Sequence, residues 1–242
     1  MWKSLISGVA AGLLLLPAAQ ALAEESEYEI IGAAYHADNI EQLLYEERYT
    51  PVNDSGKGEV HYVDPDGERI AEKTLDYSHG ETSPSFELRD LRQDLHWSAR
   101  WSDDEEQIRL TRGSREEPES ESVEVKSRQV IDAGFDPFIQ SHWDRLMDGE
   151  RVTFHFAFPN RLTNVRLRAE RIEADDSPIQ KQEEGWVYFR IRVNSAVLSL
   201  FADNLYLAYD PEDTRLMVFR GRSNIPDADG EGRDVEIHYR YP

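Results

Sequence analysis

From residue 28 onward, apolar and polar positions alternate in short runs separated by Asp, Pro, Gly and Asn, which is the period of a half-buried strand. The runs predict strands over 28–35, 41–49, 58–63, 69–77, 107–112 and 122–130, then over 152–158, 164–172, 186–193, 204–209, 215–220 and 234–241. In the second group the phase is consistent. Val152, Phe154, Phe156 and Phe158 project to one side and Thr153, His155 and Ala157 to the other. Likewise Val165 and Leu167 oppose Arg166 and Arg168, while Val187, Phe189, Ile191 and Val193 oppose Tyr188, Arg190 and Arg192. In the last run Val235, Ile237, Tyr239 and Tyr241 oppose Glu236, His238 and Arg240. One face is therefore apolar and aromatic, and the other is rich in arginine, whose aliphatic stem covers a sheet while its head stays wet. Strands do not alternate with long helices, which excludes a doubly wound fold. The predicted class is mainly β: a curved antiparallel sheet forming an open barrel or half-barrel.

One segment breaks the period of two. In DAGFDPFIQSHWDRLMDG, residues 132–149, Phe135, Phe138, Ile139, Trp143, Leu146 and Met147 follow helical spacing. Asp136 suits the N-cap, Pro137 the first helical position, and Gly149 the stop. A helix at about 136–148 is expected, packed on the apolar face of the sheet. At 100° per residue His142 shares that face with Phe138 and Leu146, whereas Asp144 points away. The two neighbours thus form no acid–base couple.

The turns carry their own chemistry. YVDPDGERIAEK at 62–73 and YDPEDTRLMVF at 209–219 each start a hairpin turn with Asp-Pro. REEPESES at 115–122 is expected to be a charged loop. NIPDADGEGRD at 224–234 is expected to be a polar loop whose acids lack calcium-loop spacing.

Composition adds three constraints. The N-terminus, MWKSLISGVAAGLLLLPAAQALAEE, has an early cation, an apolar run and the small-residue site Ala21-Leu22-Ala23. This layout predicts a cleaved secretory signal at 1–23, export to the periplasm, and a mature single β domain at 24–242 with no transmembrane segment. The chain has no cysteine, which excludes disulfides, thiol chemistry and a lipoprotein anchor. Without Lys3 the mature chain carries 26 Lys+Arg against 48 Asp+Glu, a formal −22, and nucleic-acid binding is excluded on that charge. The imbalance is local. Residues 24–150 hold 13 cations and 33 acids, whereas residues 151–242 hold 13 and 15. The second part either pairs its arginines internally or offers a relatively positive surface to an anionic partner.

Searching for chemistry yields little. No nucleophile elbow, zinc-protease helix, phosphate loop or dinucleotide fingerprint is present, and no cofactor is implied. His61, His155 and His238 lie on strands but share no metal-ligand spacing. Ser223 and Asn224, in GRSNIPD, read as a side-chain-bonded turn. The chain is expected not to be an enzyme.

The helix DPFIQSHWDRLMDG followed by FHFAFPNR, with the hairpin YVDPDGERIAEK and the ending YDPEDTRLMVFRGRSNI, is similar to exported bacterial proteins of uncharacterised function. More loosely, the plan resembles the periplasmic lipoprotein-carrier architecture, an open half-barrel whose concave apolar face is lidded by helix. That resemblance implies an apolar small molecule or lipid as ligand, with Phe138, Trp143, Phe154, Phe156 and Phe189 as its wall. The alternative is an envelope structural or interaction protein that meets an anionic partner through Arg166, Arg168, Arg190, Arg192 and Arg240.

Overall fold

The computed structural model describes residues 27–194 and 204–242; the expected signal at 1–23 lies outside them. Fifteen strands are present among these residues: β1 (Ile30–His36), β2 (Asn39–Tyr49), β3 (Lys57–Val63), β4 (Arg69–Asp76), β5 (Ser85–Asp90), β6 (Leu95–Trp101), β7 (Gln107–Ser114), β8 (Pro118–Glu124), β9 (Gln129–Ile131), β10 (Val152–Phe158), β11 (Thr163–Ile172), β12 (Val187–Val193), β13 (Leu205–Asp210), β14 (Arg215–Arg222) and β15 (Asp234–Arg240). They form one sheet in which β1 to β8 run outward in order from one side of β1, while β15 back to β9 run outward from the other. Neighbours pair antiparallel except β9 with β10, which is parallel. Apart from β8–β9 and β9–β10, strands consecutive in the chain are antiparallel sheet neighbours, and the last strand, β15, pairs with the first, β1.

The predicted sheet class, its curvature and its open form are all observed. No ladder among the described residues joins β8 to β9. Side chains bridge the gap instead. Asn164 of β11 donates to the Glu124 carbonyl at 3.2 Å and to the Gln129 side chain at 2.9 Å, and Arg112 of β7 donates to the Asn160 carbonyl at 2.7 Å. An open sheet exposes ladder groups at both edges, and here its charged outermost strand β8 remains largely exposed.

Two strands, β5 and β6, escape the hydropathy reading. SFELRD turns Phe86, Leu88 and Asp90 inward, so a buried acid interrupts the apolar phase; LHWSARW mixes its inward tryptophans with a polar outer phase. The expected charged loop at 115–122 instead contributes most of β8. An edge strand tolerates a run of polar residues because one side of its ladder meets water.

The helix is also shorter than expected. It divides into α1 (Phe135–Ser141) and α2 (Trp143–Met147). Ser141 Oγ donates to the Phe138 carbonyl at 2.8 Å and His142 Nδ1 lies 3.0 Å from the same oxygen, while the His142 N–H turns to Ile139. Side chains have taken the acceptor that a continuous helix would use. Asp136 is not the N-cap. It sits inside the first turn, and Gly134 precedes the helix without a side-chain cap. Gly149, at φ +82°, ends α2 as expected.

The helices cover the inner face of β10–β14. Phe138 meets Phe154 at 4.6 Å between ring centres, and Trp143 meets both Phe189 and Tyr209, at 5.4 and 5.6 Å. The inner face of β1–β8 packs a second cluster that includes Tyr45, Tyr62, Leu88, Ile108 and Leu110, closed by Ile131, Ala157 and Ile225. Between the halves the chain crosses tightly: Ile131 N–H donates to the Thr82 carbonyl at 3.1 Å, and a Cβ on Gly134 would sit 2.0 Å from that same oxygen. Gly134→Ala must push two backbones apart. We expect it to lower unfolding stability by at least about 2 kcal/mol, against about 1 kcal/mol for Gly149→Ala, whose Cβ meets open space. Urea denaturation of the two variants checks the order.

Candidate functional site

The five aromatics expected to wall an apolar site come together. Phe138, Phe154 and Phe189 are buried, and Trp143 and Phe156 pack against the same cluster half-buried. Ring contacts join Phe138 to Phe154 and Trp143 to Phe189, and Phe156 meets Phe158. Two depressions on the described surface, one over β5–β8 and one beside Trp101, are lined by other residues. Neighbouring Asp136 accepts a hydrogen bond from Tyr209 at 2.9 Å, and burial pushes its carboxyl up to about 6.

Inside the β1–β8 half lies a polar group that the hydropathy pattern gives no reason to seek. Lys73 of β4 is 2% exposed and donates to Asp132 at 2.7 Å, across the interior. Glu47 of β2 accepts from Tyr49 at 2.9 Å and from Tyr239 at 3.4 Å. Tyr239 reaches Glu47 across β1 because Gly32 stands between them, where a Cβ would lie 2.7 Å from the Tyr239 ring. Burial pushes the Glu47 carboxyl up, opposed by the Lys73 charge and the Tyr49 hydrogen bond. The signal was present in the phase: Glu47 alternates with Tyr45 and Tyr49, and Lys73 with Ala71 and Leu75, so both charges fall on the inward side. The turn at 223–225 caps this region. Asn224 donates to Tyr62, Ser223 bonds Tyr45, and Ser223 also bonds Ile225 in the expected side-chain turn. Its polar groups are bonded to one another and to the surrounding tyrosines, and so fasten the interior.

The outer face of β10–β12 differs. Glu170, nearly buried, accepts from Arg190 at 2.7 Å and lies 3.1, 3.2 and 3.8 Å from Arg151, Arg192 and Arg168. Burial acts to raise the Glu170 carboxyl, but the Arg190 hydrogen bond and the charges of Arg192, Arg190 and Arg168 outweigh it and hold it below its ordinary value. Arg168 and Arg192 stand directly opposite each other on β11 and β12. Arg166 adds a fifth cation, its guanidinium 3.5 Å from the Thr153 hydroxyl. The structure therefore assembles Arg166, Arg168, Arg190 and Arg192, adds Arg151, and leaves Arg240 apart. That residue lies on β15, three strands from β12 and so about 14 Å away at sheet spacing.

The strand histidines do not converge. His61 contacts Tyr28, Glu59 and Arg69; His155 contacts the Ser127 carbonyl; His238 contacts Glu236. Among the described residues, no three metal-binding side chains cluster. The 224–233 loop spends Asp227 on its own turn, accepting from Asp229 and Glu231 at 3.0 and 2.8 Å. No helix among the described residues is long and apolar enough to cross a membrane.

No protein-family model matches this chain, and no curated protein does. Among solved structures it is similar to a β-barrel-like protein of a domain of unknown function from Brucella abortus, at 8% identity and a TM-score of 0.40, over 89% of this chain and 97% of that one.

Two buried groups set measurable consequences. The Asp136 carboxyl is raised on folding, so the folded state binds its proton more tightly than the unfolded chain. The resulting contribution to stability is full below the unfolded value near 4 and is lost as pH rises through about 6. Asp136→Asn is expected to stabilise the protein by roughly 2–3 kcal/mol at pH 7.5 and to change little at pH 4, read from urea midpoints at both pH values. Lys73→Met leaves Asp132 buried without its partner and should cost about 3–5 kcal/mol. Adding Asp132→Asn should restore part of it, as a double-mutant cycle would record.

Proposed function

We propose that this protein is an exported, non-enzymatic binding module whose outer face over β10–β12 docks an anionic partner of the cell envelope. One observation carries the reading. Four arginines gather around one acid, with Arg168 and Arg192 directly opposed and Arg166 two residues along the same strand face. Like charges directly opposite on a sheet destabilise it; Glu170 offsets one of the four positive charges around it, and a partner's anion would relieve the remainder. The rest of the chain sharpens this reading: on a molecule of net charge −21, a local positive face selects which surface an anionic partner meets first. The secretory layout of residues 1–23 supports export. The lipid-carrier reading loses support because its aromatic wall is spent on packing within the core.

The test is charge reversal. The mature protein should retain an anionic envelope component at low salt and release it as salt rises. Arg166→Glu/Arg192→Glu should reduce that retention at least tenfold with the urea midpoint little changed, whereas Arg240→Glu should leave it intact. Equal retention by both variants and the native protein would remove the reading.

A further inference from the structure

The acid-rich first half contains a second positive surface. On the outer face of β5–β8 lies an open groove of about 380 Å³, lined by Arg89, His96, Arg100, Arg109, Arg115 and the single acid Glu87, over a floor of small hydroxyl residues. Its volume falls within the usual range for small-ligand sites. The lattice of strand pairs places these groups: Arg89 opposes His96, Arg100 opposes Arg109, and Ser98 opposes Thr111, which in turn opposes Ser120.

Five features separate this groove from an ordinary solvated face. Four of the 13 cations of residues 24–150 line it, in a segment that carries 33 acids. Arg89 is held by Glu72 at 3.1 Å and Arg100 by Glu87, yet Arg109 and Arg115 have no acid partner among the described residues. Arg100 and Arg109 are directly opposed, an arrangement that costs stability unless an anion lies between them. Beneath them the floor supplies hydrogen-bonding hydroxyls, with Thr111 and Ser120 bonded to each other at 3.0 Å. The buried Nδ1 of His96 has no partner.

We propose that this groove binds a phosphate- or sulfate-bearing small molecule. The guanidinium groups of Arg109 and Arg115 hold its oxyanion, since planar forks match such oxygens. The His96 ring and the Ser98, Thr111 and Ser120 hydroxyls meet the remainder of the ligand. The groove faces outward from a different part of the sheet than the Glu170 cluster, so the inference stands independently of the partner proposed for that face.

Titrating the isotope-labelled mature protein with inorganic pyrophosphate and, in a separate arm, with inorganic sulfate tests it by amide shifts. Saturable shifts centred on Ser98, Thr111 and Ser120 are expected, and the arm that saturates at lower concentration assigns phosphate or sulfate chemistry. Arg109→Ala/Arg115→Ala should weaken binding at least tenfold, while Arg166→Glu/Arg192→Glu, far from the groove, should leave it unchanged. Both side chains changed in the first variant are exposed, and Thr111→Val provides a second variant that retains every charge and should weaken binding more modestly. Linear, unsaturable shifts in both arms would overturn the proposal. So would binding indifferent to the double alanine substitution, or reduced equally by both charge variants.

Discussion

The half-barrel depends on one crossing. A curled sheet of fifteen strands has an inner face that water would otherwise fill, and the segment that covers it must leave β8, traverse the gap and return as β10. Residues 131–134 make that passage with almost no room: the Ile131 N–H bonds the Thr82 carbonyl, Gly134 lies against it, and Asp132 reaches Lys73 in the opposite half. Because the ion pair is buried, separating its members is costly whereas the pair itself adds modest net stability. Its consequence is positional: it locks the covering segment to β4, so that α1 and α2 descend onto the aromatic face of β10–β14.

An open sheet with a concave aromatic face suggests a container, but the covering helices bring Phe138 and Trp143 into the space and the aromatics meet at ring-contact distances. The polar interior is likewise occupied, with Glu47, Lys73 and Asp132 held by tyrosines and by one another. What remains unmatched is outside. Two outer patches set an arginine directly opposite another arginine, on β11–β12 and on β6–β7, each with too few acids to balance it. An acidic protein that retains such patches presents local positive fields against a negative background, which favours specific over diffuse anion contacts.

Much of this architecture was legible as period and phase. The alternation in β10, β11, β12 and β15 named both the apolar wall and the arginine face, and four of its five arginines do share one patch. Legibility failed where a residue's type contradicts its phase. Asp90 obscured β5, polar residues disguised the edge strand β8, and Glu47 and Lys73 lay on inward positions within runs whose other members are apolar. The helix break at His142 was hidden for another reason: it arises from hydrogen bonds of Ser141 and His142 to one carbonyl, a competition invisible to hydropathy. Arg240 was misplaced in the predicted patch because phase identifies the face of a sheet and not the strand order along it. The β5–β8 groove likewise depends on strand pairing, and β5 and β6 carry no clear hydropathy alternation.

Packed side chains occupy the interior, and on the proposed reading the charged outer faces are the working surfaces. Titrating the mature protein with a fatty acid while following the aromatic resonances of Phe138, Phe154 and Phe189 tests this most directly. No saturable change at those rings is expected up to the solubility limit of the acid. Saturable shifts centred on them would show that an acyl chain enters among the packed aromatics, and would contradict that reading.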